Sequence, residues 1–288
     1  MNVYNRMKRI FTYIVLIAMP VIGMAQRQVL SFGLRGGTEN MFAKTQQDAS
    51  SRFGYQAALD INHDFIFHPE KRVAWGLRLG LAAGYTGNIF SGNFNQQFVN
   101  TDYLGNEMDY TTSGSFSNKV DGCFLELPVL ATMRTHGYYL GIGAKMQTYV
   151  YNYFSQTITN PLIEANFPKY GPTVTNEMVT GKLPREKSGT IDRDNFLRAN
   201  LSLGLETGYE WFLTEKKTYI ALSVYAYYSV WNSFYNDDDQ YLVYVSPIRD
   251  ESYPVPEVRV SYALTTLATK VTPLEFGLKL SFGHIFGD

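Results

Sequence analysis

The chain has 288 residues, of which 45% are hydrophobic and 15% aromatic, and its formal net charge is −1. The near-neutral charge excludes a general basic field that would attract nucleic acid. The single cysteine, Cys123, excludes an internal disulfide framework and a cysteine-based zinc cluster.

The N-terminus has the pattern of a signal for export. The first nine residues include three basic side chains, and residues 10–22 are apolar. Gly23 and Ala25 are small residues at the positions that signal peptidase requires. The apolar run of about 13 residues is shorter than the roughly 20 that span a bilayer, which argues against a membrane anchor. We therefore predict a signal peptide over 1–25, cleaved after Ala25, and a mature domain over 26–288.

The rest of the chain alternates apolar and polar residues with a period of two, which indicates β-strands. Leu203 and Leu205, for example, alternate with Ser202 and Gly204. Eight such segments are present: Val29–Arg35, Phe53–Phe67, Val73–Tyr85, Phe124–Met133, Tyr138–Val150, Phe196–Phe212, Tyr219–Trp231 and Leu274–Phe286.

The polar face of these segments carries Gly, Ser, Asn and charges of both signs, while the apolar face carries no charge. A soluble sandwich would solvate the polar face, and periodicity alone does not exclude it. A narrow barrel would instead enclose the polar face, because a lysine or arginine turned to lipid costs about 2–4 kcal/mol at mid-bilayer. The barrel interpretation predicts a structural charge network in the lumen, formed by Arg78, Glu126, Lys145, Arg198, Glu206, Glu275 and Lys279.

The links between segments alternate in length, which favours the barrel. The short links lie near 68–72, 134–137 and 213–217, and the long links near 36–52, 86–119, 152–195 and 232–271. Short periplasmic turns and long external loops are typical of outer-membrane barrels. We predict an all-β, closed antiparallel transmembrane β-barrel of eight strands, with short periplasmic turns and four long extracellular loops.

The last long link contains two further strand-like runs, Tyr241–Val245 and Val258–Leu264. They either extend the seventh and eighth strands outward or form an extra pair that makes ten strands. We favour extensions.

A local motif adds a resemblance to a known family. Residues 124–130 read FLELPVL and residues 138–144 read YYLGIGA, separated by a short turn. These segments resemble the PorT-like outer-membrane β-barrel family, a group of the small OmpA-like kind. The resemblance implies an eight-stranded barrel in the outer membrane of a Gram-negative bacterium, and some relatives serve type IX secretion. Glu126 is expected to point into the lumen, and Pro128 removes one ladder donor, which indicates a bulge or bend.

The histidines argue against catalysis. His63, His68, His136 and His284 all fall at the predicted periplasmic end, away from the outer rim where surface substrates would arrive. Neither a G-x-S-x-G elbow nor an H-E-x-x-H pair is present. We predict that the protein is not an enzyme and has no catalytic residue, cofactor or metal. A metal pair of His63 and His284 is the less favoured alternative.

The sequence therefore predicts a structural and interaction scaffold that presents large surface loops. The alternative is a narrow pore or an accessory component of protein secretion across the outer membrane, of type IX-like kind. The expected partners are outer-membrane lipids and lipopolysaccharide, the barrel-assembly machinery and, under the alternative, secretion-complex proteins. Phe282 and Phe286 near the C-terminus resemble the signal that the assembly machinery reads, although Gly287 and Asp288 follow them.

Overall fold

A computed structural model describes residues 27–45, 49–102, 104–169, 173–175, 186–190, 199–213, 217–231, 241–246, 258–261 and 268–286. The strands are β1 (Arg27–Thr45), β2 (Ala49–Phe67), β3 (Ala74–Thr101), β4 (Glu107–Thr135), β5 (Tyr138–Asn166), β6 (Thr173–Thr175), β7 (Glu186–Thr190), β8 (Asn200–Phe212), β9 (Thr218–Ser229), β10 (Val243–Val245), β11 (Val258–Val260) and β12 (Ala268–Phe286). The predicted signal peptide lies outside the described residues. No helix in the described part of the chain is long and apolar enough to cross a membrane.

Eight strands pair antiparallel in a closed ring, which confirms the predicted fold class. The order around the ring is β1, β2, β3, β4, β5, β8, β9 and β12, and β12 pairs back with β1. The two-residue turn between β4 and β5 has positive φ at His136 (48°) and at Gly137 (85°). Positive φ at both central residues is the type I′ geometry, whose twist matches that of the flanking strands.

Side chains alternate between the inside and the outside of the wall. All eight strands place large apolar side chains outward: Phe32, Leu34, Leu59, Ile61, Trp75, Leu81, Leu125, Leu127, Ile142, Leu203, Leu205, Leu222, Val224, Leu278 and Leu280. The neighbouring residues, such as Arg78, Glu126 and Ser202, are buried inside. The outward positions of the barrel wall that the structure describes carry no Asp, Glu, Lys or Arg.

Three strands continue far beyond the barrel. β3, β4 and β5 have 28, 29 and 29 residues, against 13 in β8 and 12 in β9. The segments near 86–119 and 152–195 that we predicted as loops are therefore strand for much of their length, and so is the predicted loop 36–52, because β1 runs to Thr45 and β2 begins at Ala49. At the tip of the β3–β4 hairpin the Asp102 carboxylate accepts hydrogen bonds from the backbone amides of Leu104 (2.9 Å) and Asn106 (2.7 Å). A further hydrogen bond, from the Asn106 side chain, is the main reason that the pKa of Asp102 lies below its ordinary value.

The extension has a hydrophobic core of its own on the side that continues the barrel interior. Its members are Phe90, Phe94, Phe98, Met108, Tyr110, Phe116, Val120, Phe154, Ile158, Ile163 and Ala165, together with Leu242, Val243 and Val245. β10 pairs with β11 in a separate two-stranded ribbon, and residues of this ribbon complete the core. The favoured interpretation as extensions of barrel strands is wrong, and the alternative is correct only in that the two segments pair with each other: the described residues of the ribbon join no barrel strand, so the barrel keeps eight strands. The ribbon packs on the inner face of the extension. Its backbone bonds to the Gln96 side chain through Leu242 N (2.7 Å) and to the Asn100 side chain through Val245 O (2.6 Å).

One bulge separates the barrel from its extension. β4 and β5 pair Phe124 with Tyr149 and Cys123 with Tyr151, so Val150 is an extra residue on β5. Outward-facing residues on β5 are even-numbered below the bulge and odd-numbered at Tyr151 and Tyr153 above it.

Candidate functional site

The half of the barrel near the short turns contains an ion-pair network built from four strands. Arg78 on β3 bonds the Asp64 carboxylate through Nε (2.6 Å) and Nη2 (3.1 Å), and bonds Glu206 through Nη1 (2.7 Å). Arg134 on β4 reaches the same Asp64 (2.8 Å) and also Glu210 (3.1 Å). Each carboxylate therefore has a guanidinium partner, as burial of charge requires.

The half of the barrel near the extension contains a second network, centred on Lys145 of β5. Its Nζ lies 2.7 Å from Glu126 Oε1 and also pairs with Glu275 on β12. Arg35 on β1 forms an ion pair with the other oxygen of Glu126. Gln56 Nε2 donates to Glu275 at 3.0 Å. The Lys145 side chain is fully buried, so its charge depends on these two carboxylates.

Lys279 and three tyrosines connect the two halves. Lys279 Nζ lies 3.2 Å from Glu206 and 4.0 Å from Asp60. Cations stack on tyrosine rings at three places, Arg35 on Tyr225, Arg78 on Tyr139 and Lys145 on Tyr227, with 4.8–5.2 Å to the ring centres. These rings fill the space between the ion pairs, so the interior of the barrel is packed with side chains.

Glu39 lies on the extension side of the Lys145 network, and it differs from the other carboxylates in its partners. It is fully buried and stands directly opposite Glu275 across β1 and β12. Its oxygens accept hydrogen bonds from Thr86 (2.9 Å) and Asn88 (3.1 Å), and the described residues provide no ion pair to it. Neutral donors alone satisfy this carboxyl group.

Two observations bear on metal binding in the barrel. Among the described residues, no three His, Cys, Asp or Glu side chains are placed to hold a metal ion. His63 and His284 both pair with Leu30, one on each side of β1. Each ring has another neighbour: His63 Nε2 lies 3.2 Å from Gln28 Oε1 and its ring stacks on Phe65, while the His284 ring packs edge-on against Phe286.

Six of the seven residues predicted for the lumen network lie inside the barrel and take part in ion pairs. They are Arg78, Glu126, Lys145, Glu206, Glu275 and Lys279. Arg198 lies outside the described residues. The ladder between β3 and β4 is interrupted next to Pro128, between the pairs Leu79–Val129 and Ala82–Glu126, as expected where a donor is missing.

Sequence reasoning missed five charged members of the network: Arg35, Asp60, Asp64, Arg134 and Glu210. Arg134 was assigned to a turn, whereas β4 continues to Thr135 and turns the Arg134 side chain inward. Asp64 and Glu210 stand on the polar phase of their strands, and this phase was the available signal for both.

No family model and no curated protein sequence matches this chain. The solved structures to which it is similar include Ail, the attachment invasion locus protein of Yersinia pestis, at 8% identity over 90% of this chain and 99% of that one, with a TM-score of 0.30. Another is the outer membrane protein OprG from Pseudomonas aeruginosa, at 12% identity over 90% and 96%, with a TM-score of 0.30. A third is the outer membrane protease OmpT from Escherichia coli, at 8% identity over 90% and 96%, with a TM-score of 0.25. The architecture given above rests on the strand pairing of this chain itself.

Proposed function

We propose that this protein is an integral outer-membrane β-barrel that acts as a structural and interaction scaffold. The observation that carries the proposal is the division of the molecule into a closed barrel with a side-chain-filled interior and an extension at one end, built on β3, β4 and β5 with the short strands β6 and β7 paired to β5. An eight-stranded barrel has room for side chains but not for a wide channel. The interaction surface is therefore the extension.

The outer face of the barrel supports insertion into a bilayer. Aromatic side chains follow the wall in two groups, one near the short turns (Trp75, Tyr138, Tyr209, Trp211 and Phe282) and one near the start of the extension (Tyr55, Tyr85, Tyr151, Tyr228 and Trp231). Trp75 and Tyr85 are ten residues apart on β3, which is about 34 Å along a strand and about 26 Å along the normal at a tilt near 40°. This span matches the apolar band of about 25 Å in outer-membrane barrels.

The difference between the two ends of the molecule supports an orientation in the membrane. The two termini of the described barrel and the short turns lie at one end, and the extension lies at the other. Short turns face the periplasm in outer-membrane barrels, so the extension stands outside the cell. Outer-membrane lipids and lipopolysaccharide then surround the wall, and the barrel-assembly machinery inserts it. A Gram-negative source and the export signal over 1–25 are part of this proposal.

The extension offers a polar surface to a partner. Its outward face carries small amide and hydroxyl side chains, among them Asn93, Ser117 and Thr157. Hydrogen-bonding groups on a rigid sheet suit an interaction surface better than a mobile loop does, because less conformational entropy is lost on binding. A role as a type IX-like secretion accessory is the second candidate, and the PorT-like motif at 124–130 favours it.

Ion conductance separates the scaffold from a pore. We expect the purified full chain in a planar bilayer to give no conductance steps. A sixteen-stranded porin, which encloses an aqueous channel, is measured in parallel and should give clear single-channel steps. Regular steps from the wild-type protein that change in Glu126→Gln would overturn the scaffold proposal, because Glu126 lies in the middle of the interior network. That the protein is not an enzyme stays a prediction.

A further inference from the structure

We propose that the mouth of the barrel at the short-turn end is a binding site for an oxyanion, a phosphate or a carboxylate group. A cavity of about 320 Å³ opens there, and we call it the vestibule. Its residues include Arg27, Lys71, Arg72, Arg134 and Tyr219. The site lies at the opposite end from the extension, so its function is separate from the scaffold role proposed above.

The vestibule has an excess of positive charge. Glu210 is the one carboxylate among the described residues that line it, and Glu210 is already paired with Arg134 at 3.1 Å. Arg27, Lys71 and Arg72 form no ion pair within the described part of the chain. Three cations without carboxylate partners around one cavity favour an anion as the ligand.

An unpartnered buried hydroxyl also points to a ligand. Tyr219 is 2% exposed and lines the vestibule, and its hydroxyl has no hydrogen-bond partner among the described residues. The Nε atom of Arg27 is likewise buried without a partner. A buried donor is normally satisfied, and an anion in the vestibule would accept from both groups.

The orientation of Tyr219 is fixed by the strand beside it. Tyr219 on β9 pairs directly with Gly283 on β12, and a side chain at position 283 would collide with the Tyr219 ring. The absence of a Cβ at this position lets the ring lie across the neighbouring strand. Gly283 is therefore the residue that permits the inward position of the hydroxyl.

The size and walls of the vestibule suit a compact, multiply charged group. Its volume is about ten times the roughly 30 Å³ that one water molecule occupies in the liquid. Val29, Ile66 and Ile285 contribute apolar walls, which strengthen electrostatic attraction by lowering the local dielectric constant. One guanidinium group can donate two parallel hydrogen bonds to two oxygens of a phosphate or a carboxylate.

The test is calorimetric titration of the full chain in detergent micelles with inorganic phosphate and, separately, with succinate at matched ionic strength. We expect saturable binding of one ion per barrel. Tyr219→Phe should weaken binding about tenfold, because a hydrogen bond to a charged group is lost, and Arg72→Gln should weaken it by a similar factor. Lys119→Gln, an exposed cation at the other end of the molecule, is the matched control and should leave the dissociation constant unchanged.

A second measurement separates binding from structure. Without ligand, Tyr219→Phe should melt at the same temperature as the wild-type protein or higher, because the lost hydroxyl had no partner. Tighter binding of phosphate identifies a phosphate site, and tighter binding of succinate identifies a carboxylate site. Absence of saturable binding of both ions, or equal affinities in the wild type, Tyr219→Phe and Arg72→Gln, would overturn the proposal. None of these outcomes depends on whether the extension binds a partner.

Discussion

Lys145 shows how single residues hold the interior of this barrel together. Its ammonium group lies between Glu126 and Glu275, which belong to different strands, and Arg35 completes the charge balance on Glu126. Removing one member of such a buried group leaves an uncompensated charge and typically costs about 3–5 kcal/mol. The network therefore fixes the relative positions of β1, β4, β5 and β12.

On the outer face, Leu203 tests whether the wall meets lipid. Its side chain is 51% exposed in the middle of the apolar face of β8. Leu203→Arg should destabilise the folded protein in lipid vesicles by about 2–4 kcal/mol, measured by urea unfolding. Val99→Arg is the matched control, because Val99 is 60% exposed on the extension, and it should change stability by no more than about 0.5 kcal/mol. Similar losses in the two variants would contradict a lipid-facing wall.

Among the elements, the β10–β11 ribbon is the part that gives the extension its own core. Leu242 and Val245 are fully buried against aromatic residues of β3 and β4, and Phe98 contacts Tyr241 and Tyr244 at 4.8 and 5.2 Å between ring centres. A sheet extension with one uncovered apolar face would be unstable in water. The ribbon covers that face, so the extension is a folded unit and not a set of loops.

Leu242→Ala should open the extension and leave the barrel closed. Loss of a fully buried leucine costs about 2–5 kcal/mol, and here the cost falls on the ribbon and its contacts. We expect protease to cut within 86–119 at least ten times faster in this variant, while the heat-dependent shift of the barrel on a gel is retained. Leu104→Ala at the hairpin tip, where the side chain is 61% exposed, should behave as the wild type. Equal cutting rates in both variants would show that the ribbon does not hold the extension.

Over the whole molecule, the sequence predicts what depends on local alternation. The phase of Leu203 and Ser202 and the presence of a short turn near 134–137 follow from period-two patterning and turn chemistry, and both agree with the structure, in which the turn is confined to His136 and Gly137. The extension was missed because its buried residues Phe90, Phe94 and Phe98 recur every fourth position among Asn and Gly, a pattern that also fits an aromatic-rich loop. The packing of the ribbon on the extension and the partners of Arg35 and Arg134 could not be predicted, because these contacts join residues 70 or more positions apart.

The orientation of the whole molecule can be measured by labelling cysteines in intact cells. Cys123 lies on the outward face between Tyr85 and Tyr151 and is exposed, so Cys123→Ser provides the background. We expect an impermeant maleimide to label Ser117→Cys on the extension at once. Glu70→Cys in the β2–β3 turn should react only after the outer membrane is permeabilised. The opposite order of labelling would place the short turns outside.

The bulge at Val150 has a consequence for how the length of this chain can change. β3, β4 and β5 each serve two cores in succession, and a single inserted residue would turn every later side chain on that strand to the wrong face. Insertions or deletions within these strands are therefore tolerated in pairs. Val150 already absorbs one such step, as do Asn160 and Pro161 where the β4–β5 register shifts again opposite Gly114. At these two points the extension can lengthen, shorten or be exchanged for another while the barrel beneath it keeps its phase.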